Sequence, residues 1–192
     1  TKTLFPVPGL KTKDGDHDMF YMRPSRFLPG KMSTPALLAN LTYVMDSFYD
    51  QHRDASKTIG FIANMNDFTM ENFNIHYCMQ FMEALQGRLA PTKVGLFLIV
   101  NPPPFFDKVW KLMKPMLSAS FREKVHMIPE ADLKRFLKPG FEAFLPNEFV
   151  EGQACVDDLV QDFVSDNFML LEAPFRQLSS WVLQRCGAVQ VN

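Results

Sequence analysis

This chain predicts an α/β domain built on mostly parallel strands, and three observations carry that reading. Runs apolar on both faces, at 58–64 and 94–101, alternate with segments of helical periodicity, a signature of crossover-connected parallel strands. Pro and Gly separate the segments and set their ends. At 192 residues the chain is long enough to bury a substantial core within one domain.

Each element follows from local pattern. Residues 1–16 hold Pro6, Pro8, Gly9 and Gly15 with little periodicity, and read as a lead-in to a domain over 17–192. His17-Asp18-Met19-Phe20-Tyr21-Met22 reads as a short strand closed by Arg23-Pro24, and 25–33 as a loop. Ser33-Thr34-Pro35 supplies a helix start, a cap followed by proline in the first turn. That helix should run to about Asp54, with Leu37, Leu38, Leu41, Val44, Met45, Phe48 and Tyr49 on one broad face. Residues 58–64 are apolar on both faces and belong to a central strand. Asn66-Asp67 makes a turn. A second helix follows from about 71 to 89, bearing Phe73, Ile75, Tyr77, Cys78, Phe81, Met82 and Leu85. Pro91 separates it from the strand at 94–101. Beyond lie an amphipathic helix from 105 to 117, a short strand at 125–128 and a helix over 130–137. Lys138-Pro139-Gly140 breaks that helix, and Leu145-Pro146 begins an extended edge. Short helices are expected at 156–165 and 174–185.

Several chemistries have no residues to carry them. A net charge of −1 argues against general nucleic-acid binding, which normally needs a basic excess. The strand ending at Asn101 is followed by three prolines, which donate no amide and cannot cradle a phosphate as a glycine turn does. There is no Walker sequence and no Gly-x-Ser-x-Gly elbow. His17, His52, His76 and His126 are scattered without ligand-spaced companions. Asp157 and Asp158 are adjacent, so on a helix they point apart. No nucleophile, metal site or cofactor loop is expected, and the chain reads as a non-enzyme. Cys78, Cys155 and Cys186 lack metal spacing and read as reduced thiols of an intracellular protein. No apolar run reaches about 18 residues, so no membrane span is expected.

The apolar inventory is unusual: 19 Phe and 12 Met against 2 Trp. Methionine is flexible and polarizable and suits surfaces that fit exchangeable apolar partners, although a ligand-free Met-rich core has the same composition. On residues 105–117 the apolar positions are Phe105, Phe106, Val109, Trp110, Leu112, Met113, Met116 and Leu117. Lys108, Lys111 and Lys114 recur every three residues along a polar strip. A wide apolar face flanked by lysines suits an interfacial helix, with Trp and Phe entering the acyl boundary and lysines meeting anionic head groups. An ordinary surface helix with its apolar side on the core remains the competing reading. Pro115 should stop or kink the helix, and Leu117-Ser118-Ala119 then makes a natural hinge.

These residues resemble the signature of CRAL-TRIO lipid-binding domains. Ile99-Val100-Asn101-Pro102-Pro103, Phe105-Phe106, Val109-Trp110-Lys111-Leu112, Lys114-Pro115 and Lys124-Val125-His126 carry the likeness. Met22-Arg23-Pro24-Ser25-Arg26 resembles the family's I-R-P-x-R, and Leu145-Pro146-x-Glu148-Phe149 its L-P-x-E-Y-G-G. The likeness runs from about Asp16 to Trp181. Phosphatidylinositol, tocopherol and retinaldehyde carriers share this domain.

The resemblance implies a mixed, mostly parallel sheet as the floor of a hydrophobic lipid pocket, roofed by a mobile gate at 101–124. Floor positions are then Ile59, Phe61, Ala63, Phe97 and Ile99. Walls come from Leu38, Leu41 and Met45 of the first helix and from Val109, Leu112, Met113 and Met116 of the gate. Lys93, Lys108, Trp110, Lys111, Lys114 and Lys124 would meet the membrane or a head group. The cargo is a lipid and no cofactor is implied. The expected setting is cytoplasmic and peripheral to membranes, with a membrane surface and a fused or separate protein as partners.

Departures are specific. Members that hold phosphatidylinositol place a glutamate where this chain has Thr92, paired with a lysine matching Lys124. The double glycine is replaced in Val150-Glu151-Gly152. The small helical lobe that precedes the fold in the family is not found, which suggests a fragment. Two functions follow: a lipid carrier or sensor with a gate helix, or a regulatory protein-interaction module with a collapsed pocket inside a larger signalling protein.

Overall fold

The computed structural model describes residues 3–15, 17–31, 33–51, 57–86 and 94–166. Five strands form one sheet in chain order: β1 (Leu4–Pro6), β2 (His17–Met22), β3 (Thr58–Asn64), β4 (Val94–Val100) and β5 (Val125–Ile128). β1 runs antiparallel to β2, and β2 through β5 are parallel to one another. The expected α/β fold with a mixed, mostly parallel sheet is therefore the observed one. β4 ends one residue early because Asn101 turns to a φ of 54°. The lead-in reading of residues 1–16 needs correction, since Leu4–Pro6 is a sheet strand and Phe5, Val7 and Leu10 are buried. Three residues ending in proline are too short to show periodicity, yet suit an edge strand, where a missing amide costs no ladder bond.

Every parallel step is made by a helical crossover. α1 (Thr34–Gln51) joins β2 to β3, and α2 (Ile75–Gln86) joins β3 to β4. α3 (Phe106–Met113), a 3-10 turn (Lys114–Met116) and α4 (Ala119–Arg122) join β4 to β5. Right-handed crossovers between strands taken in sequence all fall on one face. The core divides accordingly. On the helix face, Phe20, Ile59, Phe61, Phe97 and Ile99 meet Leu41 and Met45 of α1, Phe81 of α2 and Val109 of α3. On the reverse face, Met19, Tyr21, Ile62, Leu98 and Val100 meet Phe5, Leu133, Leu137, Phe149 and Val156. The last of these begins α5 (Val156–Asp166), which packs against β1.

Local chemistry explains the boundaries. Ser33 accepts from the Ala36 and Leu37 amides at the start of α1, as the Ser-Thr-Pro signal predicts. α2 starts at Ile75 rather than near 71, because Asn74 Oδ1 accepts from the Tyr77 amide and caps it there. Residues Met70–Asn72 form a separate 3-10 turn. The helix expected over 130–137 is instead 3-10 turn (Glu130–Arg135). There the Lys13 and Lys138 amides bond to the Phe136 and Lys11 carbonyls, and a Thr12–Leu137 bridge draws the chain out straight. α3 stops at Met113, where Pro115 was expected to end it. The helix expected at 174–185 lies outside the described residues.

A bulge shapes the floor. Ile59 pairs with Val94, but Gly60 pairs with Leu96, leaving Gly95 as the extra residue. The slip lets Val94 and Phe97 both reach the helix face. A Cβ at Gly95 would stand 2.4 Å from Thr58 Oγ1 and 2.6 Å from the His17 ring, so only glycine fits beneath that hydrogen-bonded pair.

Glycine positions separate rigid from yielding surroundings. A Cβ at Gly152 would lie 2.0 Å from the Pro146 carbonyl oxygen, which is backbone, whereas at Gly60 it meets the flexible Met19 Sδ at 2.3 Å. Gly152→Ala is expected to lose about 3 kcal/mol, Gly60→Ala about 1 kcal/mol, and Gly30→Ala, which faces open space, almost nothing. Urea denaturation of the three variants checks that order.

Candidate functional site

The strand ends carry the polar groups that lock the sheet. Tyr21 and Arg23 both donate to Glu148, and Arg26 Nη2 reaches the same carboxylate at 3.2 Å. Asn64 Nδ2 donates to the Tyr21 hydroxyl at 2.9 Å, and Asn64 Oδ1 accepts from the Asn66 amide at 3.0 Å. Met22-Arg23-Pro24-Ser25-Arg26 and Leu145-Pro146-x-Glu148-Phe149 are thus two halves of one ion-pair cluster. Burial, followed by the bond to Glu148, raises the Tyr21 hydroxyl far above its ordinary range.

Between this lock and the helix face lies an apolar cavity of about 100 Å³. Its floor is Ala63, Phe97 and Ile99, all facing the helices. Leu37 and Leu41 of α1 form one wall, and Tyr77, Cys78, Phe81 and Met82 of α2 the opposite one. Phe106 and Met113 of α3 form the roof. Aromatic and sulfur-bearing side chains make up more than half of the lining. On the reverse face, a hollow of about 350 Å³ is larger but rimmed by Glu130, Lys134 and Glu151.

The expected cavity residues divide into three groups. Leu41, Ala63, Phe97, Ile99 and Met113 line the space. Leu38, Met45, Ile59, Phe61 and Val109 lie in or against the same apolar cluster without lining it. Leu112 and Met116 were expected as walls but are 54% and 47% exposed. Helix geometry accounts for Leu112. Phe106, Val109 and Met113 recur at the three- and four-residue spacing of one buried face, and Leu112 falls outside it beside Lys108. Met116 follows the break at Pro115, where α3 no longer sets direction. The polar side chains of Asn64 and Thr69 are spent on the Tyr21 hydroxyl and on Asn72, and Tyr43 packs against the core.

The candidate surface residues also separate. Lys108, Lys111 and Lys114 are exposed on the outer side of the roof, and Trp110 is half-buried against the core. Lys124 Nζ donates to the Val94 carbonyl at 2.7 Å, satisfying the backbone at the bulge. That places it at the opening end of β4, away from the cavity's edge at Ile99. Lys93 and Thr92 lie outside the described residues.

Both ends of the roof segment are held by side chains. Asn101 Nδ2 donates to Asn66 Oδ1 at 3.0 Å and to Glu130 Oε2 at 3.3 Å, and Asn101 Oδ1 accepts from the Glu130 amide at 2.8 Å. These bonds hold a residue with positive φ at the point where the chain leaves the sheet. At the far end, the Ser118 amide donates to Gln86 Oε1 at 2.7 Å, linking the expected hinge to the last residue of α2. Tyr77 and Cys78 were signalled only as apolar residues of the second helix, and nothing in the sequence announced Gln86.

The domain is thus an α/β unit with a single-sided helical cover over a mostly parallel sheet and an apolar cavity between them. The sequence pattern of the CRAL/TRIO domain matches residues 9–149. The solved structure titled "Crystal structure of Sfh5" has the same fold, with a TM-score of 0.58 at 12% identity. The match covers 82% of this chain and 59% of that one, so this chain spans about three-fifths of that structure. The chain belongs to the CRAL/TRIO domain family, whose domains bind lipids. Among the described residues no helix is long and apolar enough to cross a membrane, and no group of His, Cys, Asp and Glu is arranged to hold a metal.

Two measurements test the energetics. Glu148→Leu leaves Arg23, Arg26 and the Tyr21 hydroxyl without their shared acceptor and should cost about 3 kcal/mol in urea denaturation. Adding Arg23→Met should recover part of that loss. Burial pushes the Cys78 thiol up from 9.0 to about 11. An acid raised by folding stabilises fully below its unfolded value and loses that contribution as pH climbs through the folded one. The urea midpoint should therefore fall between pH 9 and 11, and Cys78→Ala should shallow the fall, the two raised tyrosines, Tyr21 and Tyr77, accounting for the remainder.

Proposed function

We propose that the domain carries a hydrophobic lipid in the cavity between its sheet and α1–α3, and that residues 101–124 act as the gate. The observation that supports this most is the two-sidedness of α3. Its inner side roofs the cavity with Phe106 and Met113, while its outer side sets Leu112 and Met116 among Lys108, Lys111 and Lys114. An apolar pair ringed by lysines suits the boundary between anionic head groups and acyl chains. The protein works at membrane surfaces as a peripheral, cytoplasmic lipid carrier or sensor, with a lipid as cargo and an anionic membrane as partner.

Volume supports a moving roof. Pockets for drug-sized ligands already span roughly 300–1,000 Å³, against about 100 Å³ here. A cargo enters by displacing α3, whose hold on the core is apolar between the anchors at Asn101 and Ser118. A membrane that binds the displaced form shifts the balance toward opening.

The same small volume favours a second reading, a regulatory interaction module whose pocket has collapsed and whose α3 surface meets a partner protein. Organic extraction of the purified protein followed by mass spectrometry separates the two: a stoichiometric lipid favours the carrier, and an empty protein the module. For the gate, changing Lys108, Lys111 and Lys114 together to Glu, or Trp110→Ala, should slow lipid transfer between anionic liposomes about tenfold. Transfer at the wild-type rate in both variants would remove the gate assignment.

A further inference from the structure

We propose that the reverse face of the sheet, at its β5 margin, docks a short acidic segment of a partner protein that carries one large apolar side chain. The surface lies across the sheet from the cavity and α3, so it stands apart from whatever the cavity holds.

A two-stranded bridge displays the charge. Thr12 pairs antiparallel with Leu137, and both side chains are buried. Extended chain alternates its sides, so the neighbours of that pair face outward: Lys11 across from Lys138, and Lys13 across from Phe136. Lys134 and Arg135 are exposed on the adjoining 3-10 turn. The Phe136 ring rests on His126 of β5, which places the strip at the β5 margin. The acidic helix α5 belongs to the other margin, where it packs on β1.

The nearby carboxylates are largely spent within the protein. Asp132 pairs with Arg135 at 3.2 Å, and Glu142 accepts from the Gly140 amide at 2.8 Å. Glu130 accepts from the Val150 amide and from Asn101 Nδ2. Among the described residues no carboxylate lies within ion-pair reach of Lys13, Lys134 or Lys138, that of Asp14 in the neighbouring turn included. An acidic segment supplies the missing counter-charge.

Apolar surface adjoins the lysines. Phe141 and Phe144 stack at 5.5 Å between centroids, and Phe144 is 44% exposed. Its ring lies directly on Gly9, where a Cβ would stand 2.9 Å from Phe144 Cε1. An exposed aromatic already held in place loses little freedom on binding. Beside Lys134 the surface sinks into the hollow of about 350 Å³, floored by Leu133, Leu145 and Phe149 and rimmed by Glu130 and Glu151. A large side chain dropped into such a recess is the usual anchor of a protein contact. The two rim carboxylates repel anionic head groups, and a bilayer has no side chain to fill a recess, so the observations favour a protein.

Fluorescence anisotropy of the purified chain in low-salt buffer tests this with short labelled peptides. One alternates Asp and Glu around a central Phe, a second has Ala in place of the Phe, and a third has Lys in place of each acid. The Phe peptide should bind, the Ala peptide about tenfold more weakly for want of a buried anchor, and the Lys peptide at background. Lys138→Glu should weaken the Phe peptide about fivefold, and Lys13, Lys134 and Lys138 changed together to Glu should abolish its binding. Lys31→Glu, the same change of charge at an exposed lysine before α1, should leave it unaltered. No binding of the Phe peptide, no difference between Phe and Ala peptides, or an equal loss in Lys138→Glu and Lys31→Glu overturns the proposal. Loss of phosphatidylserine-vesicle binding in the triple variant, with peptide binding unmoved, overturns it too and assigns the strip to a membrane.

Discussion

The handedness of the crossovers governs this molecule. Crossovers between parallel strands are right-handed as a rule, and with four such strands taken in sequence that rule puts α1, α2 and α3 on a single face, where one core cluster joins them. The two faces of the sheet therefore cannot be alike. One receives three amphipathic helices, which need not close perfectly where they meet above Phe97 and Ile99. The other is sealed by irregular chain: the segment around Phe5–Leu10 and the turns carrying Leu133, Leu137, Leu145 and Phe149. A cavity on the helix side and a dense seal behind it are both consequences of strand order.

The carboxyl ends of the strands show how such a sheet is held open on one side without loosening. Glu148 gathers Tyr21, Arg23 and Arg26, and Asn64 joins the group through Tyr21. A few residues away, Glu130 receives the Asn101 side chain on one carboxylate oxygen and the Val150 amide on the other. The segments bearing these two glutamates cover the reverse face, so the seal also braces the point where the roof leaves β4. Half-buried charge of this kind gains its worth from complete pairing, since a single missing partner strands the others.

What the sequence disclosed follows physical range. β3 was legible to the residue because a run apolar on both faces has few other uses, and β2 and β5 were legible as short runs, β2 closed by Arg23-Pro24. The stop of α3 before Pro115 and the start of α1 at Ser-Thr-Pro were legible from backbone chemistry alone. Glu148 and Arg23 stand 125 residues apart, and no local pattern joins them; only the resemblance marked both segments as special. β1 escaped notice because it draws its conformation from pairing with β2. Leu112 and Met116 were misplaced because composition says that a residue is apolar, not which way it faces. Lys124 carried the cost of analogy: a position that the resemblance gives to a head group is occupied here with the backbone at a bulge that no motif contains.

The outer strands of the sheet bear on how this chain meets other copies of itself. β1 is three residues long, ends in Pro6 and has α5 against it, and β5 is four residues long. Short, proline-marked margins offer little unpaired backbone for another chain to extend. Displacing α3 therefore uncovers greasy side chains but no row of waiting amides and carbonyls. Copies of the chain that met through apolar side chains would still lack the template for growing a shared sheet, so such contacts stay reversible instead of seeding fibres.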